Sequence, residues 1–256
     1  MAPAPVVIVT RPEREAGPWA EALQGQGVRT ETLPLIQIKP LPDVSAMQAL
    51  WQQVPQHLAV MFVSANAVRF FMAARPDGLG LRACRAWSTG PGTQAALLAC
   101  GWPADQIDSP GAGSSQFDSE ALWALVATRV ESAQQASVLI VRGADAQGHM
   151  AGRDWLAQKL TQAGVQVVQV VAYVRQTPVL SPSQLQRAVQ AMTDGSWWLF
   201  SSSEAAQHLL QACPGLAVGQ ARALATHPRI AQRLRQTGWG RVETVPAGLE
   251  VQAVSI

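Results

Sequence analysis

The chain runs twice through one three-part pattern, and a duplication of this length limits the possible folds more tightly than any composition does. Each part is an apolar run, a short loop with Ser, Thr, Gly or Pro, and an amphipathic run. Val6-Val7-Ile8-Val9-Thr10 leads into a helical stretch ending at Gln26-Gly27-Val28, and its echo Val138-Leu139-Ile140-Val141-Arg142 ends at Ala163-Gly164-Val165. Met61-Phe62-Val63-Ser64 is echoed by Leu199-Phe200-Ser201-Ser202. Ser88-Thr89-Gly90-Pro91-Gly92-Thr93, running to Gly101-Trp102, is echoed by Thr226-His227-Pro228-Arg229-Ile230-Ala231, running to Gly238-Trp239; the offset is 239 − 102 = 137 residues. A repeat that long is a duplicated lobe, not a solenoid unit. Two similar lobes are expected to frame a cleft.

The local grammar is that of βαβ units. Val6–Val9 is a β-branched run of the kind buried on both faces of a sheet. Thr10 is placed to cap the following helix, with Pro12 in its first turn. That helix shows Trp19, Ala22 and Leu23 at helical spacing and stops at Gly25 or Gly27. The same order recurs at 60–75, 86–102, 137–164, 196–212 and 222–239, which predicts doubly wound parallel sheets. Two segments break the pattern. Leu33–Pro40 and Val170–Pro178 are extended, apolar and bracketed by proline, so they read as strand-like connectors. Residues 103–120 read as a loop feeding a helix near Ser119, and 143–153 as a polar, glycine-rich loop.

The 256 residues suffice for two small lobes, and 48% hydrophobic with 14% charged content describes a packed globular protein. A net charge of +2 gives no argument for nucleic acid or a membrane surface. Lys39 and Lys159 are the only lysines among 19 basic residues. Arginine suits bidentate recognition of carboxylate or phosphate, and a codon bias explains the same skew. Three cysteines without a C-x-x-C pair read as reduced thiols rather than a disulfide framework. No secretory signal and no run of about 20 apolar residues is visible, so a cytoplasmic location is expected. Nothing in the pattern calls for a dimer, and a monomer is expected.

His57, His149, His208 and His227 have no partners at metal-ligand spacing, so no metal is expected. Gly111-Ala112-Gly113 fails the dinucleotide fingerprint at its third glycine, and Gly90-Pro91-Gly92-Thr93 lacks the Lys of a phosphate-binding loop. The latter segment follows a strand and opens a helix. It is either a tight turn with a Thr cap or an anion contact. No G-x-S-x-G elbow occurs. Ser64 and Ser201–Ser203 end strands, where each could cap its helix or face a ligand. Thr10, Ser64, Thr93, Arg142, Ser201 and Thr226 are read as equivalent loop positions, which would set two rims of donors face to face. Tyr173, the only tyrosine, sits in a connector. It is either a packing residue or a phenol aimed at the cleft, able to donate a proton without being charged.

Taken in order, the motifs resemble the uroporphyrinogen-III synthase family. The matching pieces are Val9-Thr10-Arg11-Pro12, Leu33-Pro34-Leu35-Ile36, Phe62-Val63-Ser64, Gly90–Thr93, Asp118–Leu122, Arg142-Gly143, Val171–Arg175, Phe200–Ser203 and Thr226–Ala231. They cover about residues 6 to 240. The resemblance implies two flavodoxin-like lobes, one discontinuous (1–33 with 179–256) and one continuous (41–170), joined by a two-stranded linker (34–40 with 171–178). It implies cyclisation of hydroxymethylbilane, a linear tetrapyrrole with eight carboxylates, to uroporphyrinogen III. Water is lost from ring A, and ring D is inverted through a spiro intermediate. No cofactor is implied. Tyr173 falls on the tyrosine that helps the hydroxyl depart. Thr10, Arg11, Ser64, Thr93, Ser201, Ser202 and Thr226 fall at or beside cleft positions, Arg142, Gly143 and Arg153 flank a loop longer than the usual form, and Arg222 matches a basic position. The rival readings are a non-catalytic two-lobe binding protein, a methyltransferase-like enzyme, and an inactive relative of the fold. A methyltransferase would need a glycine-rich loop where Thr10-Arg11-Pro12 stands.

Overall fold

Val6–Val9, an inner strand of one sheet, sets the pattern for the rest. Four β-branched residues form a strand whose Val7, Ile8 and Val9 are fully buried, so both faces must be covered. A computed structural model describes residues 5–81, 84–111, 114, 116–133, 135–150 and 154–245. Along the chain the elements are β1 (Val6–Val9), α1 (Glu13–Gly25), β2 (Arg29–Thr32), β3 (Gln37–Pro40), α2 (Ser45–Trp51), β4 (Ala59–Phe62), α3 (Ala65–Ala73), β5 (Arg85–Ser88), α4 (Pro91–Ala99) and β6 (Ile107–Asp108). They continue as α5 (Ser119–Glu131), β7 (Ser137–Ala144), α6 (Trp155–Gln162), β8 (Gln166–Gln176), α7 (Pro182–Gln190), β9 (Trp197–Phe200), α8 (Ser203–Ala212), β10 (Arg222–Ala225), α9 (Pro228–Gln236) and β11 (Arg241–Thr244).

The chain divides into two compact units, Met1–Gln37 with Gln176–Ile256, and Ile38–Arg175. The first holds a five-stranded sheet ordered β11-β10-β9-β1-β2. Counted in chain order within that unit, this is 2-1-3-4-5, the flavodoxin-like arrangement. The second sheet is ordered β3-β8-β7-β4-β5-β6. Leaving β3 aside, the neighbours of β8 follow the same spatial order, but the chain enters at the third strand of the pattern. The second unit is therefore a circular permutation of the first. The parallel pairings of the central strands match residue for residue: Val7 pairs with Trp197 where Val138 pairs with Ala59, and Val6 with Arg29 where Ser137 pairs with Gln166.

That register revises the echo read from sequence. Val7 corresponds to Val138, not to Leu139, so Arg142 is the counterpart of Arg11, and Thr10 matches Val141. Packing agrees. Val7 and Val9 face α1, as Val138 and Ile140 face α5 and α6. The caps revise two further pairs. Ser64 caps α3 and Ser202 caps α8, so Ser64 answers to Ser202, as the aligned echo has it, and not to Ser201, as the grouping of donor positions has it. Gly90 and His227 hold the cap positions before Pro91 and Pro228, so Thr226 answers to Thr89, and Thr93 to Ile230. Thr10 does not cap α1. Pro12 holds that position, and Thr10 Oγ1 donates to Leu199 O at 2.7 Å, tying β1 to β9.

In the second unit, alternation sends Val60, Phe62, Leu139 and Val141 to one core and Ala59, Met61, Val138 and Ile140 to the other. The first core is aromatic: Phe71 stacks on Trp51 at 4.5 Å, and Phe62 meets Trp102 edge-on at 5.7 Å. In the first unit Trp198, Phe200 and Trp239 form the equivalent cluster. The extended segments prove to be sheet strands. β8 runs eleven residues, and β3 is its neighbour at the sheet edge. The 103–120 region also holds a short strand, β6, whose Asp108 gathers Arg85, Arg129 and Trp87 Nε1. Together these ion pairs and hydrogen bonds hold Asp108 below the usual carboxylate range despite partial burial.

His57, buried just before β4, lies 2.7 Å from Ser137 Oγ through Nδ1. Burial lowers its pKa below the ordinary 6.5. As pH falls, the unfolded chain binds this proton before the folded one does, so the histidine's contribution is full above pH 6.5 and is lost as acidity rises. His57→Gln should flatten that part of the pH dependence, read from urea midpoints between about pH 8 and 5.

Candidate active site

A doubly wound sheet buried on both faces offers ligands its carboxyl edge, at the point where strand order reverses. In the first unit that point lies between β1 and β9, and in the second between β7 and β4. Each carries an arginine at or just past the end of the first of these strands and the serine that caps the helix after the other: Arg11 with Ser202, and Arg142 with Ser64.

In the second unit Ser64 Oγ accepts from Ala67 N at 3.1 Å, closing the first turn of α3, and lies 2.9 Å from Tyr173 OH. Either hydroxyl can be the donor of that bond. Tyr173 is 3% exposed, and its ring stacks on Phe70 at 5.9 Å. It reaches this place through an irregularity in the β7–β8 ladder. Arg142 pairs with Val171, but Gly143 pairs with Tyr173, so one residue of β8 is skipped. Ala172 and Tyr173 thus join the same core although adjacent in sequence. Gly143 makes room for the ring, since a Cβ there would stand 2.6 Å from Tyr173 Cζ. The absence of a side chain here is what lets the tyrosine ring lie against β7.

Arg142 lies inside β7, not in a loop, and its side chain is 2% exposed. Its Nη1 donates to Asp154 Oδ1 at 2.5 Å and to Gln169 Oε1 at 2.7 Å. The Asp154 side chain is 59% exposed, so the pair joins a buried cation to a surface carboxylate. Neither Asp154 nor Gln169 was marked by a motif. Gln169 could have been found as the one polar residue in Val167-Val168-Gln169-Val170-Val171. Arg153 lies outside the described residues. Thr93, in the first turn of α4, is buried.

In the first unit, Arg11 follows β1 and lies 3.8 Å over the centroid of Trp19. It also pairs with Glu15 at 3.3 Å. Burial pulls its pKa below the ordinary value, and Glu15 counters part of that. Ser202 Oγ accepts from Glu204 N, while Ser201 Oγ is buried with no hydrogen-bond partner among the described residues. Thr226 N donates to Phe200 O, which fixes the start of the turn into α9. Arg222 is set apart. It begins β10, at the amino edge of the sheet, with its guanidinium 5.8 Å from the Trp197 centroid, so the structure does not bring it to Thr10, Ser201 or Thr226. Among the described residues no group of three or more His, Cys, Asp or Glu could hold a metal, and no helix is long and apolar enough to cross a membrane.

A sequence model of the family described as Uroporphyrinogen-III synthase HemD matches residues 17–250. The chain belongs to the uroporphyrinogen-III synthase family. A curated uroporphyrinogen-III synthase of Chlorobaculum parvum is 32% identical over 94 residues, which span 34% of this chain and 35% of that relative. Among solved structures, a mutant uroporphyrinogen III synthase from Thermus thermophilus aligns over 96% of this chain and 94% of its own, with a TM-score of 0.57 and 15% identity. A uroporphyrinogen-III synthetase from Helicobacter pylori aligns over 96% and 95%, with a TM-score of 0.57 and 16% identity. At such identities the likeness is one of fold, and it agrees with a synthase-family α/β chain of two parallel sheets.

Within this family frame, Gly143 gives a direct test of the site. Gly143→Ala should push the Tyr173 ring off Ser64 and cost roughly 1–3 kcal/mol by overpacking. Because Tyr173 is the only tyrosine, a single ring resonance from labelled tyrosine reports the displacement. An unshifted resonance would show that the strand absorbs the methyl group.

Proposed function

We propose that this chain is a uroporphyrinogen-III synthase, closing hydroxymethylbilane to uroporphyrinogen III with ring D inverted and water released. The observation that carries the reading is the family match over residues 17–250. The geometry around Tyr173 supports a division of roles. As the ring A carbon–oxygen bond breaks, the pyrrole nitrogen supplies electrons and Tyr173 gives its proton to the departing hydroxyl, which leaves as water. Ring D then attacks the azafulvene carbon through its substituted position, and the spiro intermediate fragments and recloses. The proton lost on final aromatisation balances the one spent. Ser64, already fixed by Ala67 N, can donate its own hydrogen to the tyrosine oxygen and stabilise the transient phenolate. Ser64 is in this reading a positioning residue for Tyr173. Thr10, Thr93, Ser202 and Thr226 shape the carboxyl edges on which the substrate rests.

Most of the work is orientation. Effective molarity from positioning reaches about 7–11 kcal/mol, and a flexible bilane must be folded so that one ring D carbon is the nearer. A cytoplasmic monomer acting without nucleic acid or membrane completes the proposal. The three cysteines, all free, suit a reducing compartment.

Fresh hydroxymethylbilane, incubated with the protein and no added cofactor, should yield mainly uroporphyrin III after oxidation and chromatography. Isomer I alone, at the spontaneous rate, would exclude the synthase reading. Tyr173→Phe should lower kcat by about 10–1000-fold, the range of a general-acid contribution. Ser64→Ala should lower kcat less, about tenfold, and Ser64→Thr should restore part of it. Wild-type rates from Tyr173→Phe would rule out the acid role.

A further inference from the structure

Arg142 and Tyr173 leave the same ladder on opposite faces. Along β7, Leu139 and Val141 join the core that receives Tyr173, while Val138 and Ile140 join the other. Alternation therefore sends Arg142 to the second of these faces. Gln169 pairs with Ile140 and lies on that face too. Arg142 Nη1 divides its two hydrogens between Gln169 Oε1 on the neighbouring strand and Asp154 Oδ1 at the start of α6. The arginine is one of the largest fully buried side chains in the protein. The ladder is regular from the Ser137–Gln166 pair to the Arg142–Val171 pair and slips at the next step. The Arg142–Gln169 bond thus crosses the two strands immediately below the bulge.

A parallel ladder has a simpler continuation. With no residue skipped, Ala172 would stand opposite Gly143, and Tyr173 would swing to the face of Arg142 and Gln169. A one-residue slip sends every later side chain to the other face, so the pairing has to be held. Arg142 holds it in two ways. Its bulk and buried charge take up the ground that the phenol ring would need on that face. Its bond to Gln169 fixes which residues of β7 and β8 stand opposite each other just before the slip. A buried ion pair is a weak source of stability, because desolvation offsets its attraction, and fixing a register is the use best attested for one. We propose that Arg142, Gln169 and Asp154 form a register lock that turns Tyr173 toward Ser64. Arg142 and Gln169 are then positioning residues for the proton donor and not contacts of the substrate. The effect on turnover rests on reading Tyr173 as that donor, whereas the lock itself does not.

The test compares Arg142→Met, Gln169→Met and Gln169→Glu with the wild type. It follows the ring resonance of labelled tyrosine, which belongs to Tyr173 alone, beside kcat and KM in the isomer assay. Arg142→Met keeps an unbranched chain and removes the charge. It should shift or split the tyrosine resonance and lower kcat by about tenfold to a hundredfold, with little change in KM. Gln169→Met should move both in the same direction by less. Gln169→Glu keeps an acceptor for Arg142 Nη1 and should recover most of that loss. In a Tyr173→Phe background, Arg142→Met should lower kcat no further, because the donor is already gone. An unmoved tyrosine resonance in Arg142→Met overturns the lock: with a raised KM the arginine is a substrate contact, and with only a lowered melting temperature it is a packing residue. If Arg142→Met does not fold, the glutamine variants decide, and a wild-type resonance in Gln169→Met overturns the lock. A shifted resonance with unchanged kcat would uphold the lock and remove Tyr173 as the proton donor, so the two readings fail separately.

Discussion

Everything else in the molecule follows from burying parallel strands on both faces. A central strand such as β1 spends its backbone on β2 and β9 and its side chains on two cores, so it has nothing left to offer a ligand along its length. Chemistry is pushed to the last residue of the strand and the first turn of the helix that follows. The residues gathered at those edges, Arg11, Ser64, Ser201, Ser202 and Thr226, are there for that reason. Arg222, at the opposite edge, lies over the Trp197 ring with its guanidinium 5.8 Å from the centroid.

Tyr173 is the exception that a strict ladder would forbid. It belongs to a strand, and in a regular pleat it would point away from the core that receives Ala172. One skipped residue opposite Arg142 rotates it inward, and a glycine across the ladder accepts the ring. The two units share a framework and depart from each other in irregularities of this kind: a bulge in one, and in the other a buried Arg11 Nε that meets no acceptor among the described residues.

Much of this was legible in the chain. Val6–Val9, Met61–Phe62 and Trp197–Phe200 announce buried strands, and Gly27 and Gly164, both at positive φ, mark where α1 and α6 stop. The one-residue register was not legible. A run such as Val-Leu-Ile-Val slides along Val-Val-Ile-Val with no penalty in sequence, and the longer loop before α6 removes the spacing that would have fixed it. Backbone pairing and the side each residue faces decide it, and they bring Arg11 and Arg142 into correspondence. Caps misled for a similar reason. Three serines in succession at 201–203 satisfy the same pattern, and only the bond from Glu204 N singles out Ser202. The Asp108 cluster was invisible because a two-residue strand carries no periodicity.

The permuted order of the second unit has a consequence for how the protein is made. The 38–175 segment is continuous and can condense as soon as it leaves the ribosome, as domains generally do during synthesis. The first unit cannot. Its β1, α1 and β2 emerge at the outset, yet the neighbour of β1 on its inner side is β9, and Thr10 waits for a carbonyl 189 residues downstream. Through most of translation that small βαβ piece has an apolar strand with one edge unpaired. Assembly of this half is therefore a late, long-range event, and the nascent N-terminal segment is the part most in need of shelter in the cell.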